Sequence, residues 1–236
     1  MIPIRDENRS QTTPHITRIL IITNIIAFVP LLYFAFFTED TTVRQFESLY
    51  ESLAMVPADI LQAKNLHTLL TSMFLHANIP HIIGNMLFLY IFGDNVEDAF
   101  GHLRYLLFYL ITGLAADFVH ILSLTTPAGL DIPTLGASGA ISGVMGAYIL
   151  MYPRARIQTL IVAYIITFVS VPAVFFLGFW FLLQLLYAWL ELGGSVAYWA
   201  HIGGFIAGIV LALISGRRKR KQLKPVTPYY VRAVLS

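Results

Sequence analysis

The sequence predicts an all-α, polytopic membrane protein with six transmembrane helices. Three observations lead to this prediction: the composition, the lengths of the apolar segments and the placement of the basic residues. Of 236 residues, 57% are hydrophobic and only 12% are charged, whereas a soluble domain carries about 25% charged residues. The mean hydropathy of +0.72 is typical of a chain whose lipid-facing surfaces are as apolar as its core.

Six apolar segments approach or reach the length of about 17–25 residues that a membrane-spanning helix needs. The predicted spans are Ile19–Phe37, Ile79–Ala99, Leu103–Leu124, Ser138–Tyr152, Val171–Leu190 and Tyr198–Ser215. The apolar run over residues 157–190 is too long for one helix and too short for two, and Pro172 divides it. We therefore predict that Ile157–Ser170 forms a loop or an interfacial segment.

The basic residues favour this count, because Lys and Arg accumulate on the cytoplasmic side of membrane proteins. With six spans the two termini share one side, and that side holds every basic residue except Arg44 and Lys64. We expect a cytoplasmic tail over residues 1–18, a membrane domain over 19–215 and a basic cytoplasmic tail over 216–236. The basic tail is expected to contact anionic lipid, and no nucleic-acid partner is expected.

The fourth span begins with the segment LGASGAISG, residues 135–143, which is unusual for a helix in lipid. Glycine is a poor helix former, and a serine hydroxyl without a hydrogen bond is costly in hydrocarbon. This span covers about 22 Å, less than the hydrocarbon thickness of about 30 Å. Ser138 is therefore expected below the outer surface, at a cavity that opens outward.

Three further polar residues are expected at a similar depth. His201 lies near the outer end of the last span, and His81 and Asn85 lie near the outer end of the second span, on one helix face. Polar residues inside a membrane are functional candidates by default. Small residues recur at a spacing of four at Gly139, Gly143, Gly204 and Gly208. This pattern predicts a close helix contact that brings Ser138 to His201.

These motifs, in this order over six spans, resemble the rhomboid family of intramembrane serine proteases. The matching segments are HANIPHIIGN (residues 76–85), GASG (residues 136–139) and AHIGGFIAG (residues 200–208). The resemblance covers about residues 19–215 and implies the basic six-helix, prokaryotic form with a rhomboid-like bundle. The first outer loop departs from the pattern because it lacks the Trp-Arg pair of some members.

The resemblance implies a serine endopeptidase in which Ser138 is the nucleophile and His201 the general base. It assigns His81 and Asn85 to oxyanion stabilisation, and Gly136 is the first glycine of the motif. No motif supplies a carboxylate for His201, so a Ser-His dyad is expected. The implied substrates are transmembrane segments of other proteins, cut near the outer face of the cell membrane after a small residue. The fifth span is an equal candidate for a lateral gate and for an ordinary lipid-facing helix.

Two alternatives remain open at this level. One is a catalytically inactive rhomboid-like protein that binds membrane helices, and the other is a proton- or ion-coupled transporter. A transporter would use the pair Asp117 and His120, for which we favour a structural role facing the cavity. The chain has no cysteine and no HExxH motif, so neither a metal nor another cofactor is expected. The sequence specifies no oligomeric state.

Overall fold

A computed structural model describes residues 2–8, 10–37, 48–162, 166–191 and 196–215. Six long helices organise this part of the chain: α1 (His15–Phe37), α2 (Ile79–Phe100), α3 (His102–Ser123), α4 (Ser138–Met151), α5 (Ala173–Trp189) and α6 (Tyr198–Ser215). Each helix overlaps one predicted span, so the mainly helical architecture is confirmed. The predicted basic tail, residues 216–236, lies outside the described residues.

Three of the helices are long and apolar enough to cross a membrane: α1 over His15–Tyr33, α3 and α6. A fourth is reached if the short helical segment Thr68–Phe74 and α2, which meet at a bend of 92°, form one broken span. Helices α4 and α5 are apolar but have only 14 and 17 residues. The chain is therefore a helical membrane protein, and the count of six spans stays a prediction.

Helix α4 lies at the centre of the bundle, and every residue from Gly139 to Tyr148 is buried. It packs against α2, α3, α5 and α6, and its contact with α6 is the most extensive between two helices of the described chain. The rings of Phe92 and Tyr148 meet edge to face at 5.0 Å in the core. Because protein surrounds α4, its polar first turn is shielded from lipid.

The backbones of α4 and α6 pack directly against each other. A side-chain carbon placed on Gly204 would lie 2.0 Å from the carbonyl oxygen of Gly139, and one on Gly208 would lie 2.0 Å from that of Gly143. Contacts shorter than 3.0 Å essentially never occur for a real Cβ atom. Only glycine therefore allows the two helices to approach this closely.

The prediction of an all-α fold was wrong in one region, because three strands form a small antiparallel sheet. The strands are β1 (Ile2–Asp6), β2 (Arg156–Val162) and β3 (Ile166–Pro172), in the order β1-β2-β3. The expected loop or interfacial segment Ile157–Ser170 is in fact this β2–β3 hairpin, in which Ile157 pairs with Val171. The run is rich in β-branched residues, which favour strands, but apolar length alone does not separate a strand from a helix segment.

The N-terminal segment, predicted as a polar tail, contributes β1 and attaches it to the bundle. Ile2 pairs with Leu160 of β2. The carboxylate of Asp6 accepts hydrogen bonds from Tyr148 Oη of α4 and from Asn95 Nδ2 of α2, the latter at 2.9 Å. The sheet is thereby fixed to the ends of two helices that also carry the candidate site at their other ends.

The start of α1 is held by acidic residues of α2. Glu97, which is fully buried, accepts hydrogen bonds from the backbone N–H groups of Ile16 and Thr17, both at 2.8 Å, and from Thr17 Oγ1 at 2.7 Å. Asp98 accepts three hydrogen bonds from Gln11 and Thr12. The two carboxylates therefore accept hydrogen bonds from groups in the first turn of α1 and in the segment before it, which have no partner within the helix. Glu97 also contacts His102 across the turn between α2 and α3.

Candidate active site

The path of the backbone into α4 depends on Gly136. Its φ of +133° is a conformation that glycine adopts far more readily than other residues. A Cβ atom at this position would lie 2.9 Å from the His81 ring, so there is no space for one. The N–H of Gly136 donates to the carbonyl oxygen of Ser72 at 2.9 Å, which ties the entry of α4 to the segment before α2.

Ser138 is the first residue of α4, and its side chain contacts His201 in the first turns of α6. The Ser138 Oγ and His201 Nε2 atoms are 2.9 Å apart, which is hydrogen-bonding distance. Both residues are half-buried. The structure thus brings together two residues that are 63 positions apart in the sequence, and the glycine contact between α4 and α6 positions them.

Two aromatic side chains lie beside the ring of His201. The Trp180 ring of α5 lies 6.0 Å from it, centroid to centroid, and the Tyr198 ring meets it edge to face at 6.2 Å. These contacts restrict rotation of the imidazole.

Gln184 of α5 also contacts His201, and sequence reasoning missed it. Its Oε1 atom lies 2.8 Å from His201 Nδ1, and its Nε2 atom donates to the carbonyl oxygen of Trp180 at 3.4 Å. A signal was available, since Gln184 is the one amide side chain in the apolar segment AVFFLGFWFLLQLLYAW of α5. A polar side chain in a membrane helix marks a functional candidate.

His81 and Asn85 lie on α2, one turn apart. The N–H of His81 donates to the side chain of the capping residue Asn78 at 2.9 Å, and the His81 ring lies against the Cα of Gly136, beside the entry to α4. Asn85 is buried, and its Nδ2 donor has no hydrogen-bond partner within the described ranges. A buried donor without a partner is destabilising by about 1–3 kcal/mol.

Asp117 and His120 of α3 do not form the polar pair that the sequence suggested. His120 Nε2 lies 3.2 Å from Thr134 Oγ1, while Asp117 Oδ2 and His120 Nδ1 are buried without a partner in the described structure. Thr134 belongs to the segment before α4 and pairs with Met55 through two backbone hydrogen bonds. His120 therefore contacts the segment that leads to Ser138.

Comparison with known proteins identifies the family. The Rhomboid domain profile matches residues 63–218, which include α2 to α6. The chain belongs to the rhomboid family. This rhomboid protein is 32% identical over 180 residues to RHOMBOID-like protein 12, mitochondrial, of Arabidopsis thaliana, covering 70% of this chain and 52% of that protein.

Two further rhomboid relatives extend the comparison. The chain is 36% identical over 154 residues to the rhomboid protease GluP of Bacillus subtilis, covering 64% of this chain and 26% of that protein. It is 26% identical over 236 residues to RHOMBOID-like protein 7 of Arabidopsis thaliana, covering 88% of this chain and 70% of that protein. This chain thus spans only about half, or less, of the length of several relatives, and the family includes at least one protein named as a protease.

Proposed function

We propose that this rhomboid protein is an intramembrane serine endopeptidase in which Ser138 is the nucleophile and His201 the general base. The observation that carries the proposal is the 2.9 Å distance between Ser138 Oγ and His201 Nε2. A serine hydroxyl is a weak nucleophile without an adjacent base, and this contact supplies one. Membership of a family that includes a named protease supports the same function.

The reaction proceeds in two halves. His201 Nε2 takes the hydroxyl proton as Ser138 Oγ forms a bond to the scissile carbonyl carbon, and the resulting imidazolium returns the proton to the leaving amine. The carbon–nitrogen bond then breaks and leaves an acyl-enzyme. Water, deprotonated by the same imidazole, hydrolyses the ester and regenerates Ser138. No cofactor takes part in this sequence.

The oxyanion of the tetrahedral intermediate needs donors that are already in place. We assign this role to the side chains of His81 and Asn85 together with the backbone N–H of Ser138. The unpartnered Nδ2 of Asn85 supports the assignment, and the N–H of Ser138 is one of the helix-terminal donors that lack an intrahelical partner. Removal of one such donor typically lowers the rate by about 10²–10³-fold.

The substrate class follows from the position of the site in an apolar helix bundle. We infer that the substrates are transmembrane segments of other proteins that enter laterally from lipid and contain helix-breaking residues near the outer face. The proposed topology has six spans within residues 19–215 and both termini on the cytoplasmic side of the cell membrane.

Cleavage of a panel of transmembrane substrates in lipid vesicles tests the function. Wild type is compared with Ser138→Ala, His201→Ala and Ser142→Ala, and reaction with a fluorophosphonate reports the nucleophile directly. Ser142 is the matched control, because its hydroxyl lies one turn along α4 and donates only to the carbonyl oxygen of Ser138 at 2.6 Å. We expect cleavage and labelling by wild type and Ser142→Ala alone.

Labelling of a folded Ser138→Ala variant at the wild-type rate would refute the assignment of the nucleophile. A folded wild-type protein that neither cleaves nor reacts with the fluorophosphonate would instead identify an inactive member of the family.

A further inference from the structure

Gln184 occupies a position that the expected Ser-His dyad leaves without a function. Its side chain is buried, with 7% exposed, inside an otherwise apolar helix. It lies on the opposite side of the imidazole from Ser138, since Ser138 contacts Nε2 and Gln184 contacts Nδ1. The three side chains therefore form a continuous row from α4 through α6 to α5.

The orientation of the Gln184 amide is determined by the backbone of its own helix. Its Nε2 atom faces the carbonyl oxygen of Trp180 at 3.4 Å, and a carbonyl oxygen only accepts hydrogen bonds. Turning the amide over would place Oε1 against that oxygen and bring two acceptors together. Oε1 therefore faces His201.

This orientation specifies where the imidazole carries its proton. Oε1 is an acceptor without a hydrogen, so the 2.8 Å contact with His201 Nδ1 is a hydrogen bond only when Nδ1 is protonated. In a neutral imidazole with the proton on Nδ1, the lone pair lies on Nε2. That lone pair points to Ser138 Oγ, which is the arrangement a general base requires.

We propose that Gln184 is a positioning residue that holds His201 in the Nδ1–H tautomer and stabilises its orientation, so that the site operates as a Ser-His-Gln row. This inference rests on the proposed protease function and deepens it. Once Nε2 has taken the serine proton, the same Oε1 accepts from the imidazolium Nδ1–H. A neutral amide gives this cation less stabilisation than a carboxylate, so the row keeps its orienting effect without adding a buried negative charge to α5.

Two substitutions separate the hydrogen bond from packing. Gln184→Met keeps the length and volume of the side chain and removes the acceptor, whereas Gln184→Glu keeps the acceptor and adds charge. Enforcing the wrong tautomer in a Ser-His-Asp enzyme costs about 10⁴-fold in kcat. Loss of a group that only biases the tautomer should cost less, so we expect a fall in kcat of about 10- to 1,000-fold in Gln184→Met with KM little changed.

The pH–rate profile is the readout that a packing role would not move. In Gln184→Glu we expect most of the rate to return, with the acidic limb of the profile displaced toward alkaline pH, because a carboxylate stabilises the imidazolium. In Gln184→Met the same limb should move toward acidic pH. Nitrogen-15 spectra of the imidazole should show protonated Nδ1 in wild type and a mixture of tautomers in Gln184→Met.

The inference is overturned if Gln184→Met cleaves at the wild-type rate, or if both variants are equally slow with unchanged pH profiles. The protease function and this inference can fail separately. If wild type neither cleaves nor reacts with a fluorophosphonate, the function fails, and the imidazole spectrum alone decides the inference. A weaker Nδ1 proton signal in Gln184→Met, from a mixture of tautomers, then supports it, and an identical spectrum in the two proteins overturns it.

Discussion

Replacement of Gly204 by alanine tests whether the α4–α6 contact positions the site. The added Cβ would lie 2.0 Å from the backbone oxygen of Gly139, and no real Cβ contact falls below 3.0 Å, so the helices must separate locally by about 1 Å. Gly139 follows Ser138 directly, and Gly204 lies one turn after His201. The same displacement would extend the 2.9 Å contact between Ser138 and His201 beyond hydrogen-bonding distance.

The expected effect is large on activity and moderate on stability. A misplacement of about 1 Å in reacting groups lowers a rate by about 10²-fold, and overpacking typically destabilises a protein by about 1–3 kcal/mol. Fluorophosphonate labelling, substrate cleavage and thermal unfolding in detergent measure the two effects. Gly178→Ala in α5 is the matched control, because its Cβ would have no neighbour within 4 Å, so it should label normally and unfold no earlier than wild type. A Gly204→Ala variant that behaves like this control would refute the reasoning.

Three further predictions concern the entry to α4 and the attachment of the N-terminal segment. Gly136→Ala places a Cβ 2.9 Å from the His81 ring at a φ of +133°, so it should abolish labelling of Ser138 and lower the free energy of unfolding by about 1–3 kcal/mol. Normal labelling would contradict this prediction. Glu97→Ala leaves three donors of α1 without their acceptor and should lower the free energy of unfolding by about 3 kcal/mol or more. Asp98→Ala removes a more exposed carboxylate and should lower it by about 1 kcal/mol. Chemical denaturation measures both values, and equal losses in the two variants would contradict this prediction. Burial raises the pKa of Asp6 to about 7, with the Tyr148 hydrogen bond lowering it and the Asp94 charge raising it. The folded state then binds the proton more tightly than the unfolded state, so the attachment of β1 should weaken as pH rises from about 4 to about 7. Hydrogen exchange of the β1 amides should show this pH dependence in wild type and lose it in Asp6→Asn. If the pH dependence is the same in Asp6→Asn, Asp6 is not its origin.

Much of the helical arrangement was predictable because apolar length and small-residue spacing report directly on helices in lipid. The bounds of α6 coincide with the predicted span Tyr198–Ser215, and the spacing of Gly204 and Gly208 indicated the helix contact. The strands were not predictable in the same way. An apolar run rich in β-branched residues, such as Ile157–Ser170, is compatible with both a strand and an interfacial segment. Ile2, which pairs with Leu160 of this run, lies far away in the sequence.

In the candidate site, too, some residues could be predicted from sequence motifs, whereas others are placed only by the packing of the helices. Ser138, His201, His81 and Asn85 were identified because each belongs to a short pattern of residues. Gln184 is marked only as a polar residue in an apolar helix, and its contact with His201 arises from the packing of α5 against α6. The contacts of Glu97 and Asp98 also follow no local motif, since their partners in and before α1 are 81 and 86 residues distant.

The pairing of β1 with β2 has a consequence for how the chain is made. The ribosome synthesises Ile2 about 160 residues before its partner Leu160, an interval of roughly 8–30 s at about 5–20 residues per second. During that interval the long helices α1 to α4 are made while β1 has no partner. The sheet therefore forms late in biogenesis, because β1 stays without its partner until the ribosome has passed the end of α4 and made β2.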